Sequence, residues 1–337
     1  MDWFEALTGF RERGWAETRG LLEVDGSTLR SKVNGREYHI GDWEMPSLAE
    51  LRARVAGPRV PKGSLKVSNI TGDVRLLHSA PEFNGALFQF ASQFNMLEMV
   101  GPHVTPEHGV TRYESDRTQG PACAIAAGPA TIFRNYFVPV GGASGQTAER
   151  QLDGFVDVSN DLAGAIGRQR DSFCKMRNGY ALPTAGGLAL AARHLRGLKE
   201  CGLDELRSRL RIGIHTGAEV TDGRAGSGQR VSQAFCSALP VAYSDLRAGD
   251  WEPLAGLVLE AAYEATLLAA VLNGSRGGSQ VVLLTRLGGG AFGNEASWID
   301  RAMVRALHSV QPYELDVRLV SHGPPDCSAK TLAELFI

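Results

Sequence analysis

Hydrophobic residues fall into two rhythms along this chain. Short apolar runs at 65–67, 86–90, 210–215 and 281–285 predict buried strands, and 313–320 alternates in the manner of a last strand. A rhythm of three to four residues predicts helices. It is mixed over 3–22 and dense with small residues over 122–133, which predicts one tightly packed helix. It covers most of 147–209, with breaks near Asn178-Gly179 and Pro183, and continues over 231–244, interrupted by Pro240. It is strongest over 254–272, where Leu257, Ala261, Leu268 and Val271 share a face. It returns from Ser297, with Ile299, Ala302, Met303 and Ala306 on one side, and the tail ends in a short helical piece.

Turn chemistry punctuates these segments. Asn34-Gly35, between two apolar stretches, predicts a hairpin over 28–40. Ser47 with Glu50 predicts a capping box on a short helix. Residues 57–63 read as a connector, 100–120 as a long loop, 141–145 as a linker and 216–230 as a loop carrying Glu219 and Asp222. Strands separated by helices imply an α/β sheet covered on both faces. The chain divides into an appendage over 1–64, of helices plus a hairpin, and one large domain over 65–337 with a helical insertion at about 139–205.

Composition narrows the classes. At 337 residues and 43% hydrophobic the chain can bury a sizeable core. A net charge of −2 gives no electrostatic case for nucleic acid or an anionic membrane as partner. No run approaches a bilayer span, and the N-terminus carries acids and arginines where a signal peptide has a basic then apolar stretch. Five scattered cysteines without a CxxC fit a reducing cytoplasm and exclude a disulfide framework. No HExxH is present, and no metal or other cofactor is expected.

The chemistry gathers in three stretches. In 279–298 a strand is followed by Gly288-Gly289-Gly290, then Ala291-Phe292-Gly293-Asn294, then a helix. Glycines let amide N–H groups approach an anion, and the helix N-terminus adds partial positive charge, so this is the layout of a phosphate cradle. Gly288, Gly290 and Gly293 also spell GxGxxG, the dinucleotide fingerprint, but too little chain follows for a doubly wound sheet. In Gly72-Asp73 a carboxylate just past a strand can accept from an adenine amino group, or sit on a solvated turn. In Gln93-Phe94-Asn95 an amide at a strand end can bond ribose hydroxyls or cap the strand. Thr118-Gln119-Gly120-Pro121-Ala122 then brings a second helix N-terminus towards the ligand.

In their order these stretches resemble the macrodomains, the ADP-ribose-binding superfamily. LKVSNITGDVRLL resembles the opening strand and GD turn, ALFQFASQFN the strand ending in NAAN, and GPACAIAAG the loop and helix that follow. LRIGIHTG and the stretch 257–294 resemble later elements of that fold. The resemblance implies a three-layer α/β/α sandwich on a mixed sheet. It implies that Asp73 contacts adenine, Asn95 the distal ribose, and Gln119, Gly120 and Ala122 the ligand at the first loop. It implies that Gly289, Gly290, Ala291 and Gly293 form the second phosphate loop, with Phe292 against the distal ribose. SQFN replaces NAAN, and the GGG-then-QEE signature of poly(ADP-ribose) glycohydrolases is absent, which points away from a poly-chain substrate. The insertion, the appendage and the acidic stretch 218–222 resemble a divergent branch that includes the MavL-type effectors, which remove ADP-ribose from an arginine of ubiquitin.

The expected activity is hydrolysis of ADP-ribose from a modified protein side chain, with arginine as the candidate linkage. The expected partners are ADP-ribose and an ADP-ribosylated protein. Cleavage at an anomeric carbon calls for carboxylates. Two acidic clusters qualify, Glu219 with Asp222 and Glu114 with Asp116, and the first is favoured because sites collect at strand ends. The rival readings are a module that binds ADP-ribose without cleaving it, and an NAD-binding enzyme.

Overall fold

A computed structural model describes residues 1–57, 60, 62–223 and 228–336. Part of the expected 57–63 connector and of the 216–230 loop lies outside the described residues.

The leading segment forms α1 (Trp3–Thr8), α2 (Trp15–Gly20), a meander of β1 (Leu22–Asp25), β2 (Thr28–Ser31) and β3 (Glu37–His39), then β4 (Asp42–Glu44) and α3 (Leu48–Val55). Asn34-Gly35 lies in the β2–β3 hairpin, and the Ser47–Glu50 capping box opens α3. The chain continues through β5 (Leu65–Thr71), α4 (Val74–Ser79), β6 (Leu87–Ala91), α5 (Gln119–Ala126) and α6 (Gly128–Tyr136). Next come β7 (Pro139–Val140), β8 (Ala143–Ser144), α7 (Val156–Ala165), α8 (Arg170–Phe173), β9 (Cys174–Arg177), β10 (Tyr180–Pro183), α9 (Ala185–Gly197) and α10 (Glu200–Arg209). The last part holds β11 (Gly213–Glu219), β12 (Arg230–Cys236), α11 (Ala248–Ser275), β13 (Val281–Leu284), α12 (Ala296–Val310), β14 (Leu315–Ser321) and α13 (Cys327–Glu334).

Seven strands make one mixed sheet in the order β4-β11-β12-β6-β13-β14-β5. The run from β12 to β5 is parallel, while β11 is antiparallel to both of its neighbours. Strand periodicity splits the core in two. Leu87, Val282 and Leu284 face one layer with α11, α12, α9 and α3. Phe88, Phe90 and Leu283 face the other, built around α5, α6 and α1. This is the three-layer α/β/α sandwich on a mixed sheet. Helix α11 is long and apolar enough to cross a membrane by length and composition, but 89% of its apolar window is buried inside the protein. Pro253 leaves the Gly249 carbonyl without its helical donor, and Arg196 Nη2 donates to that oxygen at 2.5 Å.

The leading segment is stitched into the body. β4 adds the outer strand beside β11, and the Glu12 carboxylate accepts from the Val110 and Thr111 amides and from the Tyr136 hydroxyl.

Several expectations give way. Residues 231–236 form a strand, because β12 lies between β11 and β6 and is covered on both faces, so it shows no alternation. The 122–133 helix is two helices, parted at Ala127, with Gly128-Pro129 starting the second. The 141–145 linker is part of the small β7–β8 hairpin. β11 runs on through Glu219, which therefore sits in a strand and not in a loop.

Candidate active site

Two adjoining cavities lie at the carboxyl ends of the parallel strands, where open α/β sheets collect their ligands. One, of about 280 Å³, lies beyond β6, β12 and β13. The other, of about 450 Å³, lies beyond β13, β14 and β5. Asp116, Thr118, Gln119 and Thr285 line both, so they form one elongated cleft.

The cleft exists because two neighbouring strands part. β6 stays paired with β12 through Ala91, but β13 leaves β6 after the Leu283–Phe88 position. Gln119 fills the gap this opens in the ladder. Its Oε1 accepts from the Ala91 amide at 2.9 Å, and its Nε2 donates to the Gln89 carbonyl at 2.8 Å. Its amide thus stands in for a strand and fixes the start of α5 over the cleft. That helix begins with no side-chain cap on its first N–H groups, and Gly120 and Ala122 line the cleft there. The Gln119 and Gly120 amides have no partner among the described residues and suit an anion, whereas Pro121 has no N–H and the Ala122 amide, expected at the ligand, donates to the Thr118 carbonyl at 3.3 Å. At the far end Asp73 caps α4, accepting from the Arg75 amide at 2.8 Å, and remains exposed in the cleft.

At the other end lies Glu98, a residue that the reading of motifs missed. It is 5% exposed, lines the cavity, and its Oε1 is buried with no partner among the described residues. Burial pushes its carboxyl well above the ordinary value; Arg134 opposes the shift and Asp116 adds to it. A Cβ on Gly120 would come within 2.1 Å of Glu98 Oε2, so only glycine lets the first turn of α5 lie against this carboxyl. The loop presenting Glu98 is tightly bound. The Glu98 amide donates to Tyr113 Oη at 3.0 Å, and the Met99 amide to Gln93 Oε1 at 2.7 Å. The one available signal was a lone acid inside the apolar run 96–100, since such an acid is either paired or put to use. Asp116, of the acidic cluster ranked second, lines the cleft, half-buried, and accepts from the Thr118 amide at 2.8 Å.

The glycine loop after β13 covers this end. Gly290, Ala291 and Phe292 line the cavity. Phe292 packs with Tyr180 and Tyr243, with ring centroids 5.3–5.7 Å apart. Tyr180 comes from β10, so the segment expected to be a helical insertion contributes to the wall of the site.

Other expected site residues stand elsewhere. Gly289 and Gly293 shape the loop from outside the cavity; Gly293 has φ +68° and packs on Ala242. Asn95 is fully buried. Its Nδ2 donates to Gln151 Oε1 at 2.8 Å and its Oδ1 accepts from the Leu97 amide, so it ties the segment before α7 to the Glu98 loop and does not line the cleft. Glu219 accepts from the His39 amide at 2.8 Å and so secures the leading segment. Asp222 forms a two-pronged ion pair with Arg75 and lines a hollow beside α1 that meets the cleft at Arg75, Glu114 and Ile125. Neither of these acids lines the cleft. Among the described residues, no cluster of three His, Cys, Asp or Glu side chains is placed to hold a metal ion.

No protein-family model matches the chain, and no curated protein matches it. Among solved structures it is similar to the poly(ADP-ribose) glycohydrolase of Thermomonospora curvata. The identity is 15%, the coverage 94% of this chain and 95% of that one, and the TM-score 0.42. It is similar as well to the poly(ADP-ribose) glycohydrolase of Deinococcus radiodurans in complex with ADP-ribose. There the identity is 12%, the coverage 87% and 93%, and the TM-score 0.44. These likenesses are distant, and the functional reading rests on the site's own geometry.

Proposed function

We propose that this chain is a macrodomain-like hydrolase that releases ADP-ribose from a modified protein side chain. The observation that carries this reading is the buried, unpartnered carboxyl of Glu98 at one end of a cleft whose other end offers Asp73. The adenine amino group would donate to Asp73. The diphosphate would lie between the first turn of α5 and the 290–292 loop. The distal ribose would sit beside Phe292, with its anomeric carbon towards Glu98.

A carboxyl that burial keeps protonated is a general acid. Glu98 would give its proton to the departing side-chain atom as the bond from that atom to the anomeric carbon breaks. Water then adds to the oxocarbenium-like carbon, and Asp116 accepts the proton that water loses. Solvent exchange returns a proton to Glu98, so the net change is addition of one water across the broken bond. A guanidine departs only when protonated, so this arrangement suits an arginine linkage better than an ester. A module that only binds has no need of an unpartnered buried acid, which costs stability.

The test is incubation of the chain with mono-ADP-ribosylated protein carrying arginine or ester linkages. Release of free ADP-ribose is expected, faster from arginine. Saturable ADP-ribose binding without any release would overturn the enzyme reading in favour of a binding module.

A further inference from the structure

A fully buried cation stands behind the candidate active site with only neutral hydrogen-bond partners. Arg134, on α6, has no exposed surface. Its Nε donates to the Met96 carbonyl at 3.2 Å, one Nη donates to Thr131 Oγ1 at 2.9 Å, and the other meets His215 Nδ1 at 3.4 Å. Its guanidinium lies 3.9 Å from the centre of the Phe235 ring. A buried guanidinium without a carboxylate in contact is costly to keep.

What it holds explains the cost. Among the described residues, Met96 is one of two non-glycine residues with positive φ, at 62°, in the tight turn that leads to Glu98. Neighbours on this turn are tied by Asn95, Gln93 and Tyr113; the Met96 carbonyl is tied by Arg134. The groups facing Arg134 are His215 of β11, Tyr113, Cys123 of α5 and Glu98. Those facing Glu98 are Arg134, Asp116, Tyr113, Cys123 and Tyr180. Burial depresses the His215 imidazole and raises the Tyr113 and Cys123 groups, so these three stay neutral around neutral pH. Arg134 is then the one cation in this set.

We propose that Arg134 is a positioning residue for Glu98: it pins the left-handed turn that aims the carboxyl into the cleft, and it sets a buried positive charge behind that carboxyl. This rests on the reading of Glu98 as the proton donor.

The test is the pH profile of kcat/KM. Turnover falls on the alkaline side as Glu98 loses its proton; burial lowers Arg134 from 12.5 to about 9, so the limb is read below that pH, where Arg134 is charged. Removing a neighbouring positive charge makes the carboxylate harder to form, so in Arg134→Met the alkaline limb is expected to move up by about one pH unit. The plateau kcat is expected to fall at least tenfold, with ADP-ribose affinity within threefold of the parent. Arg134→Lys keeps the charge but loses the three-way grip, so its limb stays in place while its plateau falls. An unmoved limb in a folded Arg134→Met chain overturns the electrostatic role. If Arg134→Met does not fold, Thr131→Val removes one anchor and leaves the charge. A several-fold loss of kcat at unchanged KM is then expected, and an unchanged kcat overturns the positioning role. Glu98→Gln separates the two readings: native turnover in that variant removes Glu98 as donor whatever Arg134 does.

Discussion

Glu219 and Glu98 both carry carboxyl groups close to the sheet, yet they are held very differently. Glu219 accepts from the His39 amide and so ties β3 to β11. In Glu219→Ala, turnover per folded molecule is expected to stay within twofold of the parent. The unfolding free energy from chemical denaturation is expected to fall by about 1–3 kcal/mol, the cost of orphaning a charge-assisted bond. Loss of turnover with stability intact would return the catalytic role to Glu219. At this scale the sequence was legible where residue type alone set the geometry. Asp73 at the strand end and Gly120 and Ala122 at the helix start stand in the cleft, as motif order implied. Glu98 and Asn95 were not, because their roles depend on which neighbours fold back onto them: Gly120 and Arg134 for one, Gln151 and Leu97 for the other.

At the scale of elements, the decisive contact is the first turn of α5 lying against the end of β6. A Cβ at Gly120 would meet the Ala91 carbonyl at 2.2 Å as well as the Glu98 carboxyl. The backbone carbonyl cannot swing aside, so Gly120→Ala must push the helix start outward. It is expected to cost about 1–3 kcal/mol of stability by overpacking. It should also cut kcat/KM at least tenfold, measured alongside a melting curve that shows the chain folded. Native kinetics would mean that this contact does not set the site. The apolar runs that became β6 and β13 were readable because short length and flanking glycines distinguish a buried strand. β12 was not, since Val231, Ala234, Phe235 and Cys236 are buried on both faces and interleave with buried polar Ser232 and Gln233. A strand with that pattern has no period that separates it from a helix.

The whole molecule buries several ionisable groups, Glu98, Arg134, His215 and His78 among them. His78 is fully buried, with Nδ1 2.7 Å from the Val74 carbonyl and Nε2 3.2 Å from Gln233, and it stacks on Phe88. Burial depresses it from 6.5 to about 4. The folded chain therefore leaves it neutral where the unfolded chain protonates it. The stability it contributes is complete above about pH 6.5 and is lost as pH falls to about 4. Glu98, raised by burial, acts in the opposite sense as pH rises from its ordinary value, so the two slopes partly offset each other. His78→Gln isolates the first. Between pH 4.5 and 6 its unfolding free energy should rise with pH less steeply than the parent's, by up to about 1.4 kcal/mol per unit, the effect of one proton. Identical slopes would show that His78 is not held neutral by the fold. The α/β class was visible in the alternation of strands and helices. The resemblance implied the mixed sheet, but the place of its outer strand was not legible, because β4 arrives from the leading segment to pair with β11 far along the chain. The cleft likewise draws on residues from Asp73 to Phe292, and no local window contains it.

The most direct measurement is turnover of mono-ADP-ribosylated protein by Glu98→Gln, with ADP-ribose affinity taken by calorimetry on the same sample. Removing a general acid is expected to lower kcat by about 10²–10⁴-fold. ADP-ribose affinity should stay within a few-fold of the parent, because Asp73, the α5 start and the 290–292 loop remain in place. Turnover at the parent's rate would contradict the assignment of Glu98, and loss of ADP-ribose binding together with activity would mean that the residue shapes the cleft and does not act as its acid.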